Sequence, residues 1–189
     1  MDTLTIDVSA AGLTDDQFYS ICRQNEVLRF EMTARGNLIV MSPVGGVSGD
    51  REMWLGAKVW NWNDGAQLGK VFSSSTIFQL PNGAKRSPDV AWIALNRWAA
   101  LSEAEQEKFP PLAPDFVIEL RSRTDDLATL QAKMQEYLDN GVQLGWLFDP
   151  QNQQVEIYQP GQPVEVRSLP TQLSGADLLP GFSLEVPRF

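Results

Sequence analysis

Two acidic residues are placed where apolar runs become buried strands. Asp89 follows Arg86-Ser87-Pro88 and opens Val90 to Leu95, and Glu119 lies inside Phe116 to Leu120, thirty residues further on. An ionised carboxylate buried without a partner is very costly, so Glu119 calls for a proton, a cation or a metal. If the two strands are neighbours, the carboxylates converge at one end of a sheet. Two carboxylates with water suit Mg²⁺ or Mn²⁺, which take oxygen ligands and need few protein groups. Such an ion activates water and stabilises charge building on a phosphoryl oxygen. Cations are close in sequence. Arg121 is two residues beyond Glu119 and points to the same face of the strand. Lys133 lies at the edge of a helical stripe formed by Leu127, Leu130, Met134 and Tyr137. Its stem can run along the core while its ammonium reaches back toward the strand end. The same layout also fits a structural ion pair, and this stretch alone does not choose between the two.

The rest of the composition narrows the chemistry. Histidine is absent, which removes Ser-His-Asp and Cys-His nucleophiles, His-metal hydrolysis and His proton shuttles. The one cysteine, Cys22, excludes an internal disulfide and any multi-cysteine zinc site and reads as a small apolar filler. A net charge of −9 argues against non-specific coating of nucleic acid, which needs a basic surface. That excess lies outside the middle: from Lys70 to Lys133 there are eight Lys/Arg and eight Asp/Glu. A bound cation would make the middle locally positive. No apolar run is long enough to span a membrane, and Met1-Asp2-Thr3-Leu4 lacks a signal-peptide start, so a cytoplasmic location is expected.

At 189 residues a single domain over 1–189 is expected. Leu4 to Val8 reads as an edge strand. Thr14 is the N-cap of a first helix, with Gln17 closing a capping box and Phe18, Ile21 and Cys22 facing the core. Val27 to Met32 and Asn37 to Met41 form a hairpin turning at Ala34-Arg35-Gly36, with Glu31 in its first strand. A helix from Ser48 to Trp62 carries Trp54, Trp60 and Trp62 at a spacing that favours packing on a sheet over a base-stacking surface. Lys70 to Phe72 and Thr76 to Leu80 read as a strand pair. Trp98 to Phe109 is a short helix or polar excursion. The central strand and its helix follow, ending at Asn140-Gly141. Leu144 to Phe148, Val155 to Tyr158 and Val164 to Leu169 are strands, and Gly175 to Phe189 is a tail. The pattern predicts an α/β (α+β) fold, a central mixed sheet flanked by helices with further antiparallel strands at both ends of the chain.

Pro88-Asp89 followed by Glu119-Leu120-Arg121 resembles the Pro-Asp…(Asp/Glu)-x-Lys signature of the restriction-endonuclease-like nuclease superfamily. Three longer stretches, Arg86 to Ile93, Val117 to Ser122, and Lys133 to Tyr137 running on to Gly145 to Pro150, resemble an endonuclease family abundant in cyanobacteria, formerly a domain of unknown function. The likeness runs from the Gly36 turn to Leu179-Pro180-Gly181-Phe182. It implies metal-dependent cleavage of DNA, with Asp89, Glu119 and the Leu120 carbonyl holding Mg²⁺ or Mn²⁺, and Glu31 as an accessory acid. The chain departs from the pattern at position 121. Arginine cannot be deprotonated in a protein, whereas a desolvated lysine can lose its proton more easily. Some superfamily members supply the lysine from the next helix, which makes Lys133 the preferred working cation over Arg121. Related sequences often have proline where this chain has Arg123, and histidine near Gly49-Asp50-Arg51. Two other readings share the layout: an inactive binding module of the same fold, and a metal-dependent phosphoesterase acting on a small substrate. Cutting two strands would favour a homodimer.

Overall fold

Alternating burial along the strands sorts the chain into three sheets, seen in a computed structural model that describes residues 3–189. Met1 and Asp2, read above as part of the chain start, lie outside the described residues. The elements are β1 (Leu4–Asp7), a 3-10 turn (Ser9–Ala11), α1 (Asp15–Gln24), β2 (Arg29–Met32), β3 (Asn37–Met41), α2 (Gly46–Ala66) and β4 (Gly69–Ser73). Then come β5 (Phe78–Gln79), β6 (Lys85–Arg86), β7 (Val90–Ala94), α3 (Leu95–Ala99), α4 (Glu103–Glu107), β8 (Phe116–Leu120) and α5 (Leu127–Asp139). The chain closes with β9 (Leu144–Asp149), β10 (Gln154–Tyr158), β11 (Glu165–Ser168), β12 (Thr171–Ser174) and β13 (Ser183–Val186).

The large sheet runs β11-β10-β9-β8-β7-β4, with β8 and β9 parallel and the other neighbours antiparallel. Its two faces follow the period-two rule. Val90, Trp92, Phe116, Ile118 and Trp146 pack with Leu55 and Val59 of α2 and with the β12–β13 hairpin. Ala91, Ile93, Val117 and Leu147 pack with Met134 and Tyr137 of α5. Glu119 shares the odd-numbered set, so its strand phase aims it at α5. The smaller antiparallel sheet runs β1-β3-β2-β6-β5, with α1 laid on it through fully buried Phe18. The capping box of α1 forms in both directions: Gln17 N–H donates to Thr14 Oγ1 at 3.2 Å and Thr14 N–H to Gln17 Oε1 at 2.9 Å. The predicted mixed sheet flanked by helices, with antiparallel additions at both ends, is the fold observed.

Several local readings change. Lys70 to Phe72 does not pair with Thr76 to Leu80. Instead β4 pairs with β7 across all five residues, while β5 joins β6 in the other sheet. A turn closed by Thr76 N–H on the Ser73 carbonyl at 3.0 Å carries the chain from one sheet to the other. From sequence, such a crossing looks like a hairpin. Helix α2 starts two residues earlier and ends four later than expected. Trp54 and Trp62 pack inward, Trp62 against Trp92 and Phe182, but Trp60 is 54% exposed. The excursion after β7 is two short helices, and the tail contains a strand, β13, paired with β12.

Candidate active site

The chain crosses between the two sheets at β4–β5 and again at β6–β7, and the candidate site lies at the second crossing. Strand β6 belongs to the small sheet, and Ser87-Pro88-Asp89 leads straight from it into β7 of the large one. Strands β7 and β8 are neighbours, with Val90 opposite Ile118. Asp89 therefore lies beside the end of β8, where its Oδ2 accepts the Leu120 N–H at 2.8 Å. Glu119, 4% exposed, is reached by Lys133 Nζ at 2.8 Å and by the Tyr137 hydroxyl at 2.9 Å, both on its Oε1. These donors come from successive turns of α5, four residues apart and on one helix face. Asp126 caps that helix by accepting the Thr129 N–H at 2.8 Å.

Glu31 arrives from β2. It is 3% exposed and fully engaged, accepting from Arg86 Nη1 at 3.0 Å, Ser87 N–H at 2.9 Å and Lys133 Nζ at 2.8 Å. Arg86 in turn donates from Nε to Glu136 at 2.6 Å. The structure thus brings Asp89, Glu119, Glu31 and Lys133 into one cleft of about 990 Å³. Arg121 is not among the residues lining it. Its Nη1 donates to Asp149 at 3.1 Å and its Nε to the Asp125 carbonyl at 3.2 Å. Arg121, expected on Glu119's face of the strand, is drawn to Asp149 rather than into the cleft, and the register gives the reason. Glu119 is level with Leu147 and Leu120 with Phe148, so the next step sets Arg121 beside Asp149, whose carboxylate is wholly buried.

Sequence reasoning missed Glu52 of α2, which lines the cleft and accepts from the Ser74 hydroxyl. It stands one residue beyond Gly49-Asp50-Arg51, where a histidine was sought. Tyr137 was read only as an apolar stripe residue, and Arg86 only as part of a motif. The direct signal for Arg86 was its place immediately ahead of Ser-Pro-Asp.

The electrostatics divide the acids. Burial, then the Glu119 and Glu52 charges, push the Asp89 carboxyl well above the usual range. Burial also raises Glu119, with Lys133 opposing it. For Glu31, burial acts upward, but Lys133 and Arg86 outweigh it and hold the carboxyl below its usual value. Lys133 mirrors this: burial would strip its proton, but Glu119 and Glu31 hold the ammonium above its ordinary range. Two carboxylates hold it, each at 2.8 Å.

The donor set also bears on whether a divalent ion fits. Among the described residues no cluster of three or more Asp, Glu, His or Cys side chains is close enough to cage a metal. Mg²⁺ does not require one, since it commonly binds through one or two carboxylates and keeps several waters. Asp89 Oδ1 and Glu119 Oε2 accept no protein hydrogen bond among the described residues. Neither is a sealed, unpartnered atom; those are Arg29 Nε and Trp146 Nε1. Each carboxylate thus has one oxygen fixed by protein donors and one left over, and the residues present fit a divalent cation.

This architecture has a solved counterpart. A crystal structure described as a putative nuclease belonging to DUF820 from Anabaena variabilis ATCC 29413 superposes with a TM-score of 0.70. The match covers 83% of this chain and 87% of that one at 19% identity. The two share a fold. Residues 15–187 match the model of the Uma2 family, described as "Putative restriction endonuclease", and the chain belongs to that family; family and fold together set it in the restriction-endonuclease-like class. No curated protein matches the chain. Among the described residues no helix is long and apolar enough to cross a membrane.

Proposed function

We propose that this nuclease-like protein hydrolyses DNA phosphodiester bonds with Mg²⁺ or Mn²⁺ held by Asp89 and Glu119. The Leu120 carbonyl and water would complete the shell. The observation that carries this is a pair of carboxylate oxygens, Asp89 Oδ1 and Glu119 Oε2, that no described protein donor reaches, on two residues that line the cleft and whose carboxyls burial raises. The bound ion supplies an acidified water and neutralises charge on the phosphoryl oxygens.

The protein's own groups have separate roles in this proposal. Leu120 N–H fixes the Asp89 carboxylate. Tyr137 and Lys133 orient Glu119 through its other oxygen, and the Lys133 ammonium offers its charge to a phosphoryl oxygen. Glu31 positions Lys133, Arg86 and the Ser87 backbone, its carboxylate accepting from all three. Arg121 acts from outside the cleft, tying the end of β8 to Asp149. One water adds across a P–O ester bond, giving a phosphate monoester and an alcohol, and the water's proton ends on the leaving oxygen. Double-strand cleavage extends the proposal to a homodimer, which sedimentation with Mn²⁺ present would test.

The test is plasmid nicking. Purified protein is expected to nick with Mg²⁺ or Mn²⁺, to stop in EDTA, and to lose activity as Asp89→Asn. Cleavage unchanged in that variant would end the proposal.

A further inference from the structure

We infer that Arg29 anchors a substrate phosphate beside the one being cleaved, an assignment that rests on the nuclease reading above. Arg29 stands on β2 two residues before Glu31, and period-two alternation puts Arg29, Glu31 and Thr33 on one face of the small sheet. All three line the cleft.

What sets Arg29 apart is its lack of carboxylate partners. Arg86 is held by Glu31 and Glu136, and Lys133 by Glu31 and Glu119. No acidic side chain pairs with Arg29 among the described residues. Its Nη2 donates to the Ser74 carbonyl at 2.7 Å, and its Nε is buried with no acceptor. A guanidinium carries five N–H donors in a planar fork that matches a phosphate, and here most are unspent. Arg35 is the cleft's other cation without an acid partner, but it is exposed on the β2–β3 turn, where water serves it.

The position is built, because Ser74 links Arg29 to the acids. The Ser74 carbonyl takes the Arg29 bond while its hydroxyl donates to Glu52, whose charge acts on Asp89. Two residues, Ser74 and Glu52, thus stand between Arg29 and Asp89 in this run of contacts, and Arg29 and Asp89 line the same cleft, so a phosphate chain laid along it past the Asp89 carboxylate meets Arg29. Among the cleft's cations that are not fully exposed, Arg29 is the one with no carboxylate partner among the described residues.

The test uses a fluorescent single-stranded DNA oligonucleotide with Ca²⁺, followed by anisotropy across a salt series. Arg29→Gln should raise the dissociation constant roughly 10- to 100-fold. It should also flatten the slope of log K against log salt by about 0.7, the loss of one phosphate contact on a single strand. Arg29→Lys should restore the slope but only part of the affinity, since a point charge replaces a fork. Calorimetric Mn²⁺ affinity and the unfolding temperature should stay at wild-type values. Wild-type protein that binds DNA with the same slope as Arg29→Gln would overturn the assignment and leave Arg29 as a brace for Ser74. Loss of Mn²⁺ binding or of stability in Arg29→Gln would overturn it too, as a purely structural role. Wild-type protein that binds Mn²⁺ but no DNA would instead remove the nuclease reading, and the anchor with it.

Discussion

Glu31→Gln tests the architecture of the site without relying on any activity. The wild-type carboxylate accepts from Arg86 at 3.0 Å, Ser87 at 2.9 Å and Lys133 at 2.8 Å. Glutamine keeps the shape and one acceptor oxygen. It removes the negative charge and turns an amide N–H₂ toward a cation that also donates. Removing one partner of a buried ion pair costs about 3–5 kcal/mol, because the remaining charge is left desolvated. Side-chain exposures of 12% for Lys133 and 10% for Arg86 leave little water to soften that loss. For a chain of this size about 2–4 °C is lost per kcal/mol, so the unfolding temperature should fall by roughly 6–20 °C at pH 7 in EDTA.

The pH dependence has a definite sign. Lys133 and Arg86 outweigh burial and hold Glu31 below its ordinary value. Its contribution is thus complete above the unfolded pKa of about 4.3 and is lost as pH falls through the depressed folded value. The gap between wild type and variant should close in acid. A second substitution, Lys133→Met, completes a double-mutant cycle, and residues in direct contact should couple by about 0.5–3 kcal/mol. A drop below 2 °C at neutral pH, or additive single and double variants, would refute the idea that Glu31 holds this junction together.

The metal hypothesis gives three further outcomes, and the fold a fourth. Asp89→Asn should abolish calorimetric Mn²⁺ binding while leaving the protein at least as stable as wild type in EDTA at pH 8. The sign follows from the raised Asp89 value: the native state holds the extra proton, so metal-free stability falls as pH rises through that range. Saturating Mn²⁺ should raise the unfolding temperature, and by more at pH 8 than at pH 5, since the ion must displace protons from Asp89 and Glu119; an equal gain at both would count against a carboxylate site. Lys133→Met should cut nicking by at least tenfold while Mn²⁺ affinity holds or rises, because Glu119 loses a competing cation; unchanged nicking would remove Lys133 from the chemistry. Gly69→Ala should lose about 1–3 kcal/mol in a denaturant melt, since a Cβ there would collide with the Ile93 carbonyl and the Trp92 ring where β4 joins β7.

How legible the site was depended on whether its partners were local or distant. Phe116 to Leu120 and Leu144 to Phe148 were readable because apolar runs of that length bounded by turn residues have few other uses. The period-two rule then gave Glu119 its face. Helical spacing gave Lys133 its route, and both ends of α5 carry capping residues. The β4 pairing was not readable, because Val71 and Phe72 satisfy an edge of either sheet equally well in one dimension. Glu52 escaped for a related reason. On an amphipathic helix an acid near the boundary of the polar face looks solvated, and only Ser74, reached through a sheet-to-sheet crossing, shows that it turns inward.

The substitution at position 121 follows from the same geometry. A lysine there would lie at the end of β8 with its charge free to fold back toward Glu119. An arginine beside Asp149 is captured instead, because the parallel register puts a wholly buried carboxylate level with it and the Asp125 carbonyl accepts its Nε. Asp149 also accepts the backbone N–H groups of Gln151 and Asn152, so the pair fixes the turn after β9 as well as the end of β8. The strand's own cation is thus spent on the scaffold, and the cation beside Glu119 comes from the helix. Lys133 can fill that place only because Met134 and Tyr137 seat α5 against the odd-numbered face of the sheet. The charge beside Glu119 therefore depends on helix packing rather than on strand spacing, so a substitution that shifts α5 should disturb the site as surely as one within it.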